Sequence, residues 1–216
     1  PSWAFENHDA PRAVSRWTPE GVDRQAFARM KMALLCALRG SIILYNGEEL
    51  GLGQVDIPFE LVKDPEALKN WPLTLSRDGA RTPLPWVGDA VHAGFSDAAP
   101  WLPLGADHAA LAVDRQDADP QSMLVLTRRL IALRDANPAL RQGANARWVT
   151  EGDLLGFDRV TGGQHIRCLF NFGAAPVAVA AHVTGGAAML KVNGADMEQL
   201  PPAGALWLDM KETNDA

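Results

Sequence analysis

Residues 3–16 read WAFENHDAPRAVSR, and the interpretation of the whole chain starts from this stretch. Trp3 and Phe5 predict a short buried strand, which leads directly into the polar cluster Asn7, His8 and Asp9. An apolar strand followed at once by His and Asp is how an α/β enzyme presents reactive side chains at the carboxyl end of a strand. The same polar cluster is also typical of a turn that caps a helix, so the pattern alone leaves both interpretations open.

The composition is that of a globular protein with one good core or two modest ones. The chain has 216 residues, of which 47% are hydrophobic, and a formal net charge of -6. Because the charge is mild and mixed, we expect neither a nucleic-acid partner nor an anionic membrane surface. No stretch is apolar over the length of a membrane span, and the first residues do not form a signal peptide. We therefore expect a cytoplasmic protein.

Two further features of the sequence concern its cysteines and its start. Cys36 and Cys168 lie far apart within apolar stretches, so we expect buried thiols rather than a disulfide or a metal site. The chain begins without Met, almost inside a strand that a parallel sheet buries. This start predicts that the chain is a fragment of a longer protein.

The first fifty residues predict a strand, a helix and a second strand, the repeating unit of a parallel α/β sheet. Residues 13–17 are expected to be a loop, and Thr18-Pro19-Glu20 has the residues that begin a helix. The helix is predicted from about Val22 to Leu38, because Phe27, Met30, Leu34 and Leu38 recur at helical spacing. Residues 41–45 form an unbroken apolar run, which is typical of a strand buried on both faces.

From residue 52 onward, the spacing of apolar residues changes twice. Residues 52–119 have few periodic segments, and such a long irregular stretch is functional or disordered; Trp71, Trp86 and Trp101 argue against disorder. Asp119-Pro120 opens a helix with Leu126, Leu130 and Leu133 on one face, which ends near Asn137 before Pro138. After Gly143, short strands separated by turns predict a small antiparallel domain: 147–149, 154–159, 165–172, 177–183, 188–192 and 206–208.

A second informative motif is RDGARTPLPW at residues 77–86. Arg77 and Arg81 lie four residues apart in a loop rich in Gly and Pro. One guanidinium held by a carboxylate could reach a ligand oxygen, and a surface loop stiffened by ion pairs is the alternative.

Taken together, these stretches resemble the α-amylase superfamily, in the variant found in α-glucosidases and oligo-1,6-glucosidases of glycoside hydrolase family 13. The resemblance is carried by NHD with PR and SRW at residues 7–17, by residues 39–51, by residues 77–86 and by residues 93–103. Many family members have Gln where this chain has Asn46. The resemblance implies an α/β plus β architecture. Residues 1–142 correspond to the last two βα units of a (β/α)8 TIM barrel with the long loop after strand 8, and residues 143–216 to a small antiparallel β-sandwich domain.

The resemblance also implies site residues. Asp9 is the third catalytic acid, which hydrogen-bonds the ring hydroxyls of the reacting glucose, and His8 donates to a neighbouring hydroxyl. Arg81 clamps the non-reducing end of the sugar and Asn7 fixes the loop. Arg12 either acts at the substrate site, by orienting the surroundings of the nucleophile or bordering the leaving-group site, or forms a structural ion pair. The other four histidines, His92, His108, His165 and His182, are expected at the surface or in strands.

The family's nucleophilic Asp and general-acid Glu come from earlier strands, so both are expected upstream of Pro1. Glu48 and Glu49 are rejected as replacements because their loop is structural in the family. The resemblance implies that the chain is part of a retaining exo-α-glucosidase that hydrolyses, and can also transfer, terminal α-linked glucose of small oligosaccharides. The chain by itself is expected to be inactive without its upstream part, and no cofactor or metal is expected. The alternatives are a non-catalytic carbohydrate-binding module and an amylase-like scaffold protein.

Overall fold

The computed structural model describes residues 1–74 and 76–210. The α-helices are Ala13–Trp17 (α1), Arg24–Ala37 (α2), Pro65–Asn70 (α3), Val113–Ala118 (α4), Met123–Ala136 (α5) and Pro138–Gln142 (α6). The strands are Ser2–Ala4 (β1), Ser41–Ile43 (β2), Ala144–Glu151 (β3), Leu154–Thr161 (β4), Gln164–Asn171 (β5), Val177–Ala178 (β6), Gly186–Val192 (β7), Gln199–Leu200 (β8) and Ala205–Met210 (β9).

The chain divides into two compact units. The sheet unit comprises Pro1–Trp3, Thr18–Ile43 and Thr127–Ala216, and the loop unit comprises Ala4–Trp17 and Leu44–Leu126. Within residues 1–74 and 76–210, no helix combines the length and the apolar character that crossing a bilayer requires.

The two predicted N-terminal strands form, but the prediction that they are buried is wrong. β1 pairs with β2 in a two-stranded sheet, and the Ser41 amide donates to the Pro1 carbonyl at 3.0 Å. All three residues of β1 are exposed, and Ile43 is 55% exposed. Two strands alone cannot cover their own faces, so the apolar side chains of this pair stay accessible in the described chain.

The helix predicted from about Val22 to Leu38 is confirmed as α2, but the helix start predicted at Thr18-Pro19-Glu20 is wrong. Asp23 caps it, since the Asp23 side chain accepts a hydrogen bond of 2.7 Å from the Ala26 amide. Phe27 and Met30 are buried as the helical spacing predicts. Thr18 and Pro19 do not begin a helix. The chain forms a turn there, in which the Val22 amide donates to the Pro19 carbonyl at 3.2 Å, before α2 begins.

The C-terminal end of α2 is closed by a buried arginine from α5. Arg134 Nη1 donates to the carbonyls of Cys36, Leu38 and Leu140 at 2.7, 2.8 and 3.1 Å, and Arg134 Nη2 donates to the carbonyl of Gly40. Burial lowers the pKa of Arg134. One guanidinium thus donates to a carbonyl of the last turn of α2, to two carbonyls that directly follow this helix and to one of α6.

The antiparallel domain predicted after Gly143 is confirmed as a sheet. Its strand order is β3-β4-β5-β9-β7, with antiparallel pairing throughout. The strand predicted over residues 177–183 is shorter, because a 3-10 turn at Ala180–His182 follows β6. β8 was not predicted, and it pairs with β6 in a separate two-stranded sheet. One hydrophobic cluster of this part of the chain includes Leu154, Leu169, Leu200, Leu206 and Leu208.

Both cysteines are buried and free, as the sequence predicts. Burial raises the pKa of the Cys168 thiol far above its usual range.

The irregular stretch 52–119 lies in the loop unit and is folded around small apolar clusters. Ile57, Val62, Ala67 and Leu102 form one of these clusters. Trp71, Trp86 and Trp101 are nevertheless 41%, 49% and 59% exposed. Trp71 contacts Phe59 with ring centroids 5.1 Å apart. Large aromatic surface is therefore left accessible along this loop.

Candidate active site

The loop 7–9 is a tight turn that presents two polar side chains. The Asp9 amide donates to Asn7 Oδ1 at 2.8 Å, so Asn7 fixes the turn through its own side chain. The side chains of His8 and Asp9 are 66% and 54% exposed, and His8 Nε2 lies 3.3 Å from Asp9 Oδ2. Both groups are accessible to a ligand.

Two arginines of the motif at 77–86 converge on the same oxygen of Asp9. Arg77 Nη1 and Arg81 Nη2 donate to Asp9 Oδ1 at 3.2 and 3.0 Å. Arg81 Nε also donates to the His8 carbonyl at 2.8 Å. The structure therefore joins the two motifs that the sequence singles out. Asp9 Oδ2 is left facing His8.

Sequence reasoning missed Asp64, which holds Arg77 from the side away from Asp9. Arg77 donates to Asp64 through Nε at 2.9 Å, through Nη2 at 2.6 Å and through its amide at 3.0 Å. These hydrogen bonds from Arg77 hold the pKa of the Asp64 carboxyl well below its usual range, against the opposing effect of burial. The one available signal was Asp64-Pro65, a capping residue followed by a proline at the first helical position.

Asp78 shapes the loop that carries both arginines. It is fully buried, and its Oδ2 accepts hydrogen bonds from the amides of Lys63 and Asp64 at 2.6 and 2.9 Å. Gly79 lies next to it, where an added Cβ would stand 2.2 Å from the Val55 carbonyl oxygen. The tight backbone packing at this point requires glycine.

Arg12 is buried and engaged by neighbouring groups. Arg12 Nη1 donates to Glu6 Oε2 at 3.0 Å and to the Asn46 carbonyl at 2.8 Å, and the guanidinium lies over the Tyr45 ring. Glu6 Oε1 also accepts from the Ala13 amide at 3.0 Å. Of the two interpretations of Arg12, this geometry favours the structural ion pair over a group at the substrate.

The same contacts explain why residues 13–17 form helix α1 rather than the predicted loop. The Arg12 carbonyl accepts from the amides of Ser15 and Arg16 at 3.0 and 3.1 Å. The Glu6 carboxylate satisfies the Ala13 amide at the beginning of the helix, where anions are favourable. Such a long-range cap is invisible in the local sequence.

Glu48 and Glu49 serve the turn after β2. Glu48 is buried and accepts from the Tyr45 amide at 3.2 Å, and Glu49 accepts from the Gly47 amide at 2.8 Å. Both carboxylates are used to hold backbone, in agreement with the structural role expected of this loop.

Two of the remaining histidines pair with acids of the sheet unit. His165 lies on β5, with Nε2 2.7 Å from Asp158 Oδ2, and His182 Nε2 lies 3.3 Å from Glu151 Oε2. His108 was expected at the surface or in a strand, and this is wrong: it is 1% exposed in a turn. It fits there because Gly105 has no Cβ, which would meet the imidazole at 2.8 Å. Burial lowers the pKa of His108.

A cavity of about 280 Å³ opens in the loop unit. Pro11 and Ser76, which line it, are close in sequence to Asp9 and Arg77. Its lining combines apolar and polar groups: Pro11, Gln54, Val55, Asp56, Ile57, Trp71, Ser76 and Gly79. Over residues 1–74 and 76–210, no group of three or more His, Cys, Asp or Glu side chains is placed to hold a metal ion.

Residues 1–143 match the family model of the α-amylase catalytic domain. The chain belongs to the α-amylase family. Among curated members, a probable α-glucosidase of Rhizobium meliloti strain 1021 is 44% identical over 169 residues, which are 78% of this chain and 30% of that protein. A probable oligo-1,6-glucosidase 2 of Bacillus subtilis strain 168 is 35% identical over 156 residues, which are 64% and 28% of the two chains. This chain thus spans less than a third of the length of these α-amylase family relatives.

Comparison with a solved structure also places the fold of this chain in the α-amylase family. The crystal structure of an α-glucosyl transfer enzyme, XgtA, superposes with a TM-score of 0.88 at 40% identity, over 98% of this chain and 40% of that one. The fold of this chain is therefore of the α-amylase type, and its mostly antiparallel sheet is consistent with a C-terminal β domain.

Proposed function

We propose that this chain is the C-terminal part of a retaining exo-α-glucosidase that acts on terminal α-linked glucose of small oligosaccharides. In this proposal residues 1–142 complete a (β/α)8 barrel, and residues 143–216 form the β domain that follows it in sequence. The observation that carries the proposal is the cluster of His8, Asp9 and Arg81, in which an exposed carboxylate is oriented by arginine. The names of the relatives as α-glucosidase and oligo-1,6-glucosidase support the substrate class.

The geometry of Asp9 suits stabilisation of a sugar cation. Retaining glycosidases pass through a transition state that resembles an oxocarbenium ion. Asp9 Oδ1 is occupied by arginine, whereas Oδ2 is on the side of His8 and can accept from a sugar hydroxyl. A hydrogen bond to a carboxylate strengthens as positive charge develops on the ring, which lowers the barrier rather than only binding the substrate. An amide at this position has the same size but only one acceptor oxygen, and it carries no charge.

The proposal assigns the remaining chemistry to polypeptide upstream of this segment. The nucleophilic Asp and the acid/base Glu of the family are assigned there, and Glu48 and Glu49 already bind backbone amides. We expect the isolated 216-residue chain to be inactive. Arg81 is assigned to the non-reducing end of the glucose, where a guanidinium that closes the site favours exo cleavage.

Glucosyl transfer is the second candidate, because a structure 40% identical to this chain is that of an α-glucosyl transfer enzyme. Hydrolysis and transfer share the covalent glucosyl intermediate and differ in the acceptor, which is water or another hydroxyl. Product analysis with maltose and a free alcohol acceptor separates the two. Hydrolysis releases only glucose, whereas transfer also yields the alkyl glucoside.

The experiment that tests the proposal follows the anomeric proton during cleavage of p-nitrophenyl α-D-glucoside. The complete polypeptide is expected to release α-glucose first, and the isolated chain is expected to release none. First release of β-glucose contradicts a retaining enzyme, and cleavage by the isolated chain contradicts the assignment of the missing carboxylates.

A further inference from the structure

Asp64 lies in a position to control Asp9 although it is too deeply buried to touch a substrate. Its side chain is 0% exposed, and three donors of Arg77 bind it. We propose that Asp64 is a positioning residue, which fixes Arg77 so that Arg77 holds Asp9 in the orientation needed for catalysis. The catalytic part of this inference rests on the proposed function.

The Arg77 guanidinium binds both acids with different nitrogen atoms, which supports this role. Nε and Nη2 form a two-pronged contact with the Asp64 carboxylate, which fixes the plane of the guanidinium. Nη1 is thereby directed at Asp9 Oδ1, at a distance of 3.2 Å. The Arg77 side chain is 34% exposed, so without Asp64 its tip is free to adopt other rotamers in water.

Asp64 is itself firmly held by its surroundings. Its backbone amide donates to the buried carboxylate of Asp78 at 2.9 Å. Its Oδ1 caps helix α3 by accepting from the Glu66 amide at 3.1 Å. A series of contacts therefore leads from the buried Asp78 through Asp64 and Arg77 to the exposed Asp9. The two arginines on Asp9 Oδ1 are held independently, because Arg81 is fixed by the His8 carbonyl.

This arrangement predicts an effect on kcat rather than on KM. If Arg77 is released, Asp9 keeps Arg81 but loses one of the two arginine contacts that hold its Oδ1. The hydrogen bonds of Asp9 to the sugar contribute most in the transition state, so their misalignment slows the chemical step more than it weakens substrate binding.

A double-mutant cycle in the complete polypeptide tests the inference. Asp64→Asn and Arg77→Met are each expected to lower kcat by about 10-fold with KM changed less than 2-fold. The double variant is expected to be no slower than Arg77→Met alone, because Asp64 acts through Arg77. Glu60→Gln removes an exposed acid four residues earlier and is the control. Additive losses, or an Asp64→Asn variant as active as Glu60→Gln, overturn the inference.

Arg77→Lys covers the case in which Asp64→Asn does not fold. Lysine retains the positive charge of residue 77 but cannot make the two-pronged contact with Asp64 that directs it at Asp9, so kcat is expected to fall by about 5-fold or more. An unchanged kcat in Arg77→Lys overturns the inference.

A crystal structure supplies a readout that needs no substrate. In Asp64→Asn, or in Arg77→Lys where that variant is used, the contact of residue 77 with Asp9 Oδ1 is expected to be lost while the Arg81 contact remains. A retained contact overturns the inference. If the unmodified enzyme has no glucosidase activity, the proposed function fails and this structural result alone decides the role of Asp64.

Discussion

Asp9 and Arg81 are 72 positions apart in the sequence, and in the structure Arg81 Nη2 lies 3.0 Å from Asp9 Oδ1. The two residues belong to separate motifs, one after the first strand and one in the long loop. Because Arg81 Nε also binds the His8 carbonyl, a single guanidinium joins the backbone and the side chain of the 7–9 turn. The position of Asp9 therefore depends on a segment far away in sequence.

Arg81→Lys tests this dependence. A lysine ammonium is a compact charge and cannot donate to the His8 carbonyl and to Asp9 Oδ1 in the geometry of the guanidinium, so we expect kcat/KM for a terminal α-glucoside to fall by about 10- to 100-fold. Arg115→Lys, which changes an exposed arginine of the same unit, is the control and is expected to stay within 2-fold of the unmodified enzyme. Equal activity of the two variants contradicts the role of Arg81.

Arg134→Met tests the closure of helix α2. The substitution leaves the carbonyls of Cys36, Leu38 and Leu140 without their donor in a buried environment, so we expect the free energy of unfolding to fall by about 2 to 4 kcal/mol. Arg128→Met changes an exposed arginine on the same helix and is expected to shift stability by about 0.5 kcal/mol or less. Denaturant titration of both variants measures the difference, and equal midpoints contradict the assigned role.

The ion pair of Asp64 with Arg77 predicts a specific pH dependence of stability. Since Arg77 depresses the pKa of Asp64 in the folded protein, the folded state binds the proton less readily than the unfolded chain does. The resulting stabilisation is present above the unfolded pKa of about 3.9 and is lost as the pH falls below it towards the folded pKa.

Thermal unfolding of the unmodified protein and of Asp64→Asn measures this effect. The difference in melting temperature is expected to be largest near neutral pH and to shrink as the pH is lowered below about 4. Glu60→Gln, which changes an exposed acid of the same unit, serves as the control. A difference that is constant over this range shows that Asp64 stabilises the fold through something other than its charge.

Much of the regular structure could be predicted from local patterns. The spacing of Phe27 and Met30 identified α2, and the change to short apolar runs after Gly143 identified the antiparallel sheet, because both depend on periodic burial along a single element. The cap was wrongly assigned to Thr18-Pro19 because these residues and Asp23 all have capping chemistry, and only the folded chain decides between them.

The site was predictable only in part, for a physical reason. His8, Asp9 and Arg81 are exposed polar residues within recognisable motifs. Asp64 and Glu6 act through buried contacts with arginines 13 and 6 positions away, and nothing in their local sequence shows that contact. The burial of Arg12 likewise follows from the partners that surround it, Glu6 and the Asn46 carbonyl.

The most direct test of the central claim is the activity of Asp9→Asn in the complete polypeptide, measured on p-nitrophenyl α-D-glucoside. Asparagine keeps the size of the side chain but replaces one acceptor oxygen by an NH2 donor and removes the charge that stabilises the sugar cation, so kcat is expected to fall by about 100- to 1,000-fold. Asp89→Asn, an exposed acid of the same unit, is expected to leave kcat unchanged. An Asp9→Asn variant that keeps half or more of the activity contradicts the account.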